Sequence, residues 1–227
     1  MLAESANYYL SLPFWELIAV FSALIYVVLA AKQNIWCWPA ALVSTVIYTV
    51  IFYEVYLWMD SLLQIYYFAM AIYGWYCWRH LGTAKNETSL TGVNKERNAN
   101  SDLAISSWAL ATHIKAIIIL GIISLALGYF MASNTPTHFP YLDSLTTVFA
   151  VFATYLVAQK VLENWLYWVA IDALSIYLYI EKGLNPTALL FILYTVIAII
   201  GYFTWRKNYI STNRNENDSE AFVSTNS

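Results

Sequence analysis

Seven apolar runs of about 20 residues each, parted by short polar breaks, leave this chain few ways to fold. They lie at roughly 14–31, 36–54, 58–79, 107–131, 141–159, 163–181 and 187–206. A helix of about 20 residues crosses the hydrocarbon core, and only there are all its backbone groups satisfied without water. With 60% hydrophobic and 11% charged residues, a water-soluble globule is excluded. The expected fold is an all-α membrane protein with seven transmembrane helices. No basic surface for nucleic acid is present. The segment 1–13 holds Glu4 and no Lys or Arg, so the first run is expected to stay as a helix rather than be cleaved as a signal peptide.

Charge sets the expected orientation. Lys32, Arg79, Lys85, Lys95, Arg97, Lys160, Arg206, Lys207 and Arg214 fall on one side of the seven runs, and only Lys182 falls on the other. Lys115, inside the fourth run, can snorkel to the nearer interface. Because cationic loops stay in the cytoplasm, the N-terminus is expected outside and the C-terminus in the cytoplasm.

The chain also repeats itself. Laying 54–79 on 181–206, a shift of 127, matches 11 of 26 positions without a gap: Glu54, Leu57, Leu62, Leu63, Ile65, Tyr67, Ala71, Ile72, Gly74, Trp78 and Arg79. A shift of 130 aligns Asn34 and Trp38 with Asn164 and Trp168 at the start of the second helix of each half. Both third helices end in Trp-Arg on the same side, so the halves are parallel and one further helix must cross between them. The expected architecture is therefore a 3+1+3 parallel repeat, which in transporters places a solute site between the halves. The division is an N-terminal segment 1–13, a first three-helix repeat 14–80, a linker 81–106, a linking helix 107–131, a loop 132–140, a second repeat 141–207 and a flexible tail 208–227.

Candidate site residues follow from polar groups placed deep in the runs. Asp172 sits near the bilayer centre, where an aspartate costs about 2.5–3.5 kcal/mol on insertion scales. Asn164, Trp168 and Asp172 form an i, i+4, i+8 stripe on one helix face. An amide, a π-face and a negative charge in one row suit a flat cationic aromatic ligand. The same stripe also suits packing, with Asn164 capping its helix and Asp172 paired to a neighbour. Asp60, Gln64 and Tyr67 share a face of the third helix, and Trp36, Trp38 and Trp165 add aromatic surface near helix ends. Trp75, Trp78 and Trp205 read as interfacial belt, and Gly74 and Gly201 as close-packing positions. Cys37 and Cys77 read as packing residues, and His80, His113 and His138 receive no site. No phosphate loop, zinc-protease motif or nucleophile elbow occurs, so no enzyme activity and no cofactor or metal is expected. The rival classes are a seven-helix receptor, against which stands the absence of a retinal-binding lysine from 187–205, and a membrane enzyme using Asp172 and a histidine.

The stretches Trp36-Cys37-Trp38-Pro39, Asp60-x-x-Leu63-Gln64, Tyr73-Gly74-Trp75, Glu163-Asn164-Trp165-x-x-Trp168 and Lys182-Gly183-Leu184 resemble the PnuC family of bacterial vitamin transporters. The resemblance implies a seven-helix fold similar to full-length relatives of the sugar-transporting SWEET proteins. It further implies facilitated diffusion of nicotinamide riboside, with a cytoplasmic kinase trapping the solute by phosphorylation. Asn164 and Trp168 match the family's ligand positions, and Gln64 matches another. Asp172 stands where some nicotinamide riboside carriers have a neutral amide. Thiamine, carried by other members and also a cationic aromatic, is the alternative cargo, followed by riboflavin or a nucleoside. The oligomeric state stays open between homotrimer and monomer.

Overall fold

The computed structural model describes residues 14–54, 58–81, 103–135 and 138–225. The expectations for 1–13 and 82–102 lie outside the described residues. Among the described residues seven α-helices follow in order: α1 Phe14–Ala31, α2 Cys37–Glu54, α3 Trp58–Tyr76, α4 Leu110–Asn134, α5 Pro140–Ala158, α6 Asn164–Glu181 and α7 Asn185–Thr225. A π turn at Cys77–Leu81 continues α3. Five of them, α1, α2, α4, α5 and α7, are long and apolar enough to cross a membrane. The other two, α3 and α6, carry Asp60, Gln64, Asn164 and Asp172. Prolines stand where a missing N–H is harmless, in the first turns of α2 (Pro39), α5 (Pro140) and α7 (Pro186).

Six helices close a ring. In the first half α1 packs on α2 and α2 on α3; in the second, α5 packs on α6 and α6 on α7. The halves meet through α1 against α7 and α3 against α5. Exchanging the halves turns one of these contacts into the other, as two parallel repeats about an axis along the bundle require. Helix α4 stands outside the ring against α5, with most of its large apolar side chains exposed. The 3+1+3 parallel repeat is the observed architecture.

The repeat is more exact than two separate shifts allow. Both first helices end in the same hydrogen-bonded reversal, with Gln33 N donating to Ala30 O and Asn34 N to Leu29 O, matched by Lys160 N to Val157 O and Val161 N to Leu156 O. Gln33 (φ 57°) and Lys160 (φ 49°) both take the left-handed conformation at the position where glycine is usual. Each of these pairs is separated by 127 residues. Helices α2 and α6 start at Cys37 and Asn164, again 127 apart. The 130 alignment at the second helices is therefore corrected: Trp38 is the mate of Trp165, and Trp168 is the mate of Ala41.

Two departures from the expected boundaries have a physical reason. Helix α4 starts at Leu110 rather than 107, because the preceding segment is extended and pairs with the α5–α6 turn. Ser106 N donates to Lys160 O (3.0 Å) and Leu162 N to Ser106 O (2.8 Å). The last helix runs to Thr225 through the stretch expected to be a flexible tail. An existing helix needs no new nucleus, so further turns add at little cost.

The two ends of the bundle differ in charge. Lys32, Arg79, Lys160, Arg206, Lys207 and Arg214 lie at the end where α1, α3 and α5 finish, and exposed Lys115 lies in the second turn of α4 at that same end. At the opposite end Lys182 pairs with Asp143 at 3.0 Å.

Candidate functional site

Helix α6 turns one face inward. Asn164, Ile171, Asp172, Ser175 and Leu178 are buried, with Trp168 half-buried on the same side. These positions recur every three or four residues, so the stripe follows from helical geometry alone. Asp172 is 3% exposed, and among the described residues it has no hydrogen-bond partner and no cation. A buried carboxylate without a partner is costly.

Helices α3 and α2 carry further candidates of the first half. Gln64 and Tyr67 are half-buried on α3, and neither side chain is hydrogen-bonded among the described residues. Tyr66, beside Tyr67, donates to Val151 O (2.9 Å) and ties α3 to α5. Gly74 lies against Trp38 and Gly201 against Trp165. Stepping seven residues inward along each antiparallel pair sets Thr45 about level with Tyr67, and Asp172 about level with Tyr194. Thr45 is the repeat mate of Asp172, and its hydroxyl is satisfied by Ala41 O (2.9 Å). The charge therefore marks one half only.

Asn164 is fully buried. Its Nδ2 donates to Val161 O (2.6 Å), while Oδ1 has no partner. It does not cap α6 by accepting from the first turn; it bonds back to the turn before it. Trp38 and Trp165 are both buried, and the indole N–H of each is unpartnered. They close the basic end of the bundle with Trp78 and Trp205. Rings meet at 5.3 Å for Trp38–Trp78, 6.2 Å for Trp78–Trp205 and 5.5 Å for Trp165–Trp205. The belt expectation for Trp78 and Trp205 is corrected, since they are 2% and 0% exposed. Their indole N–H groups reach carbonyls of the other half, which holds the rings inside.

Two candidates lie away from this region. Trp36 is 63% exposed in the loop before α2, with its ring edge-on to Trp75 at 6.0 Å. Asp60 is exposed in the first turn of α3, at the end opposite the tryptophans.

A polar cluster escaped the sequence reading. His113 of α4 meets the Tyr167 hydroxyl (3.0 Å) through Nδ1 and the Glu163 carboxylate (3.6 Å) through Nε2. Ser107 Oγ donates to Glu163 Oε1, and Trp108 N donates to Glu163 Oε2 (3.3 Å). Glu163 thus fixes the end of the linker to the start of α6. Partners 54 to 56 residues apart in sequence leave no spacing signal. Ser175, buried and without a hydrogen-bond partner among the described residues, was within reach, since three residues beyond Asp172 it extends the Asn164 stripe. Among the described residues, no group of three or more His, Cys, Asp or Glu is placed to hold a metal.

Fold and site together define a polytopic helical membrane protein of two parallel three-helix repeats, with a carboxylate buried on α6 that has no partner among the described residues. The profile of the family described as nicotinamide mononucleotide transporter matches residues 13–207. The chain belongs to this family of membrane transporters, which includes the PnuC carriers. It is 27% identical over 201 residues to the nicotinamide riboside transporter PnuC of Escherichia coli (strain K12), covering 84% of each chain. It is 24% identical over 182 residues to the riboflavin/roseoflavin transporter RibM of Streptomyces davaonensis, covering 80% of this chain and 79% of that one. The crystal structure of the vitamin B3 transporter PnuC superposes with a TM-score of 0.66 at 18% identity, over 92% of this chain and 88% of that one. That likeness shows the shared fold.

Proposed function

We propose that this chain carries nicotinamide riboside across the bacterial inner membrane by facilitated diffusion, and that phosphorylation by a cytoplasmic kinase traps the cargo. The observation that carries the proposal is Asp172, a carboxylate buried without a partner on the inner face of α6. A pyridinium cation supplies the missing charge. Trp168, one turn away, offers a π-face for its ring, and Gln64, Tyr67, Ser175 and Asn164 Oδ1 offer unpaired groups for amide and hydroxyls. The cationic end faces the cytoplasm in this proposal, with the N-terminus outside.

Thiamine is the second reading, favoured by the same carboxylate, because its thiazolium is also a flat cation. Riboflavin, named for one relative, is neutral and leaves Asp172 unpaired.

Proteoliposomes containing the purified chain, given radiolabelled nicotinamide riboside and thiamine in parallel, test the proposal. Saturable uptake of nicotinamide riboside, competed poorly by thiamine, is expected. Uptake of thiamine alone transfers the proposal to the second reading, and uptake of neither overturns both.

A further inference from the structure

The tryptophans at the basic end make one hydrogen bond twice. Trp78 Nε1 donates to Val157 O (3.2 Å), and Trp205 Nε1 donates to Ala30 O (3.1 Å). Donors and acceptors are each 127 residues apart, so the bonds are equivalent under exchange of the halves. Each runs from the third helix of one half to the last turn of the first helix of the other.

Both acceptors are already satisfied. Ala30 O accepts from Gln33 N, and Val157 O accepts from Lys160 N, so each indole uses the remaining lone pair of a helix-terminal carbonyl. Releasing the indole therefore leaves no orphaned carbonyl, and only the indole N–H must find a new partner. The bonds also lie on the helix pairs through which the halves meet, α3 with α5 and α7 with α1. Between them the Trp78 and Trp205 rings meet each other, and Lys160 Nζ stands 4.5 Å over Trp78. This end of the space between the halves is filled by indole. The π turn at Cys77–Leu81 sits at the Trp78 bond, whereas α7 stays α-helical through Trp205. Single wide turns of this kind concentrate at functional positions.

We propose that Trp78 and Trp205 form a two-bond latch that closes the passage at the basic end, and that the carrier opens there by releasing both indole–carbonyl bonds as the halves part. The latch rests on the family's carrier role and not on which vitamin is carried.

The chain supplies its own reporters. Its two cysteines, Cys37 beside Trp38 and Cys77 beside Trp78, are both fully buried. The full-length protein, reconstituted without cargo, is exposed to N-ethylmaleimide, and modification is followed by intact mass. Trp78→Phe with Trp205→Phe keeps an aromatic ring at each position and removes both donors. Losing two hydrogen bonds is expected to speed thiol modification roughly fivefold to a hundredfold, with each single variant giving part of the effect. Modification of the folded double variant within twofold of the unmodified protein overturns the latch, whatever the melting temperature does. The unmodified protein gives a second measurement, through deuterium exchange of 15N-labelled indoles. Trp78 and Trp205 N–H groups exchanging at matched rates support a shared latch, and rates differing by more than tenfold overturn it. Neither readout needs a cargo, so a wrong vitamin and a wrong latch fail in different experiments.

Discussion

Gly74 and Trp38 meet so closely that a Cβ on the glycine would stand 2.2 Å from the indole, and Gly201 repeats the relationship with Trp165 at 2.8 Å. The third helix of each half thus lies directly on a tryptophan at the start of its second helix. Such an approach is how helices gain contact area in a solvent as apolar as their own side chains.

Gly74→Ala and Gly201→Ala are each expected to destabilise the protein by about 1–3 kcal/mol, because a rigid buried ring must move to admit the methyl. Gly121→Ala in α4, which meets nothing within 4 Å, is expected to stabilise by up to about 1 kcal/mol through helix propensity. Thermal unfolding of the three variants in detergent gives the ordering.

Gln33→Gly is expected to stabilise the chain by up to about 1 kcal/mol, since Gln33 holds a left-handed conformation that costs a residue with a Cβ about 1–2 kcal/mol. Lys160→Gly relieves the same strain but removes the cation above Trp78, so its melting temperature is expected below that of Gln33→Gly.

Glu163→Gln is expected to loosen the linker from the start of α6, because the carboxylate accepts from Ser107 and Trp108 at once and has His113 Nε2 3.6 Å away. The amides of Ser106 and Leu162 should then exchange with deuterium about tenfold faster, in line with about 1.4 kcal/mol of lost local stability.

Trp168→Leu keeps apolar bulk and loses the π-face. Affinity for a cationic vitamin is expected to fall between about twofold and thirtyfold, read by calorimetric titration of monodisperse protein. An unchanged affinity makes Trp168 a packing residue.

Much of the fold was legible because lipid leaves helices as the only solution, and because α3 and α7 kept Gly74/Gly201 and Trp78/Trp205 in register. The second helices hid theirs. Their inner positions have diverged, with Cys37 against Asn164, Ala41 against Trp168 and Thr45 against Asp172, and a chance Asn-Trp match three residues away looked as good. A tryptophan near a helix end looks interfacial until its partner is known, and the carbonyl that holds Trp205 inside lies 175 residues back along the chain. Asp172 was readable, since a charge at mid-helix is rare enough to stand out alone. Asp60 was legible as the weaker candidate, since it opens the third run close to the outer interface where water reaches it. Trp36 was not separable by residue type, because only three-dimensional placement puts it in an exposed loop.

The most direct measurement is a binding titration of unmodified protein and Asp172→Asn, using nicotinamide riboside and thiamine as cations and riboflavin as the neutral comparison. Asparagine keeps the shape and removes the charge, so affinity for the bound cation should fall at least about tenfold while thermal stability without ligand holds or rises. Cation affinity unchanged in Asp172→Asn, with both proteins folded, contradicts the central claim that an unpaired carboxylate between two parallel halves holds the cargo.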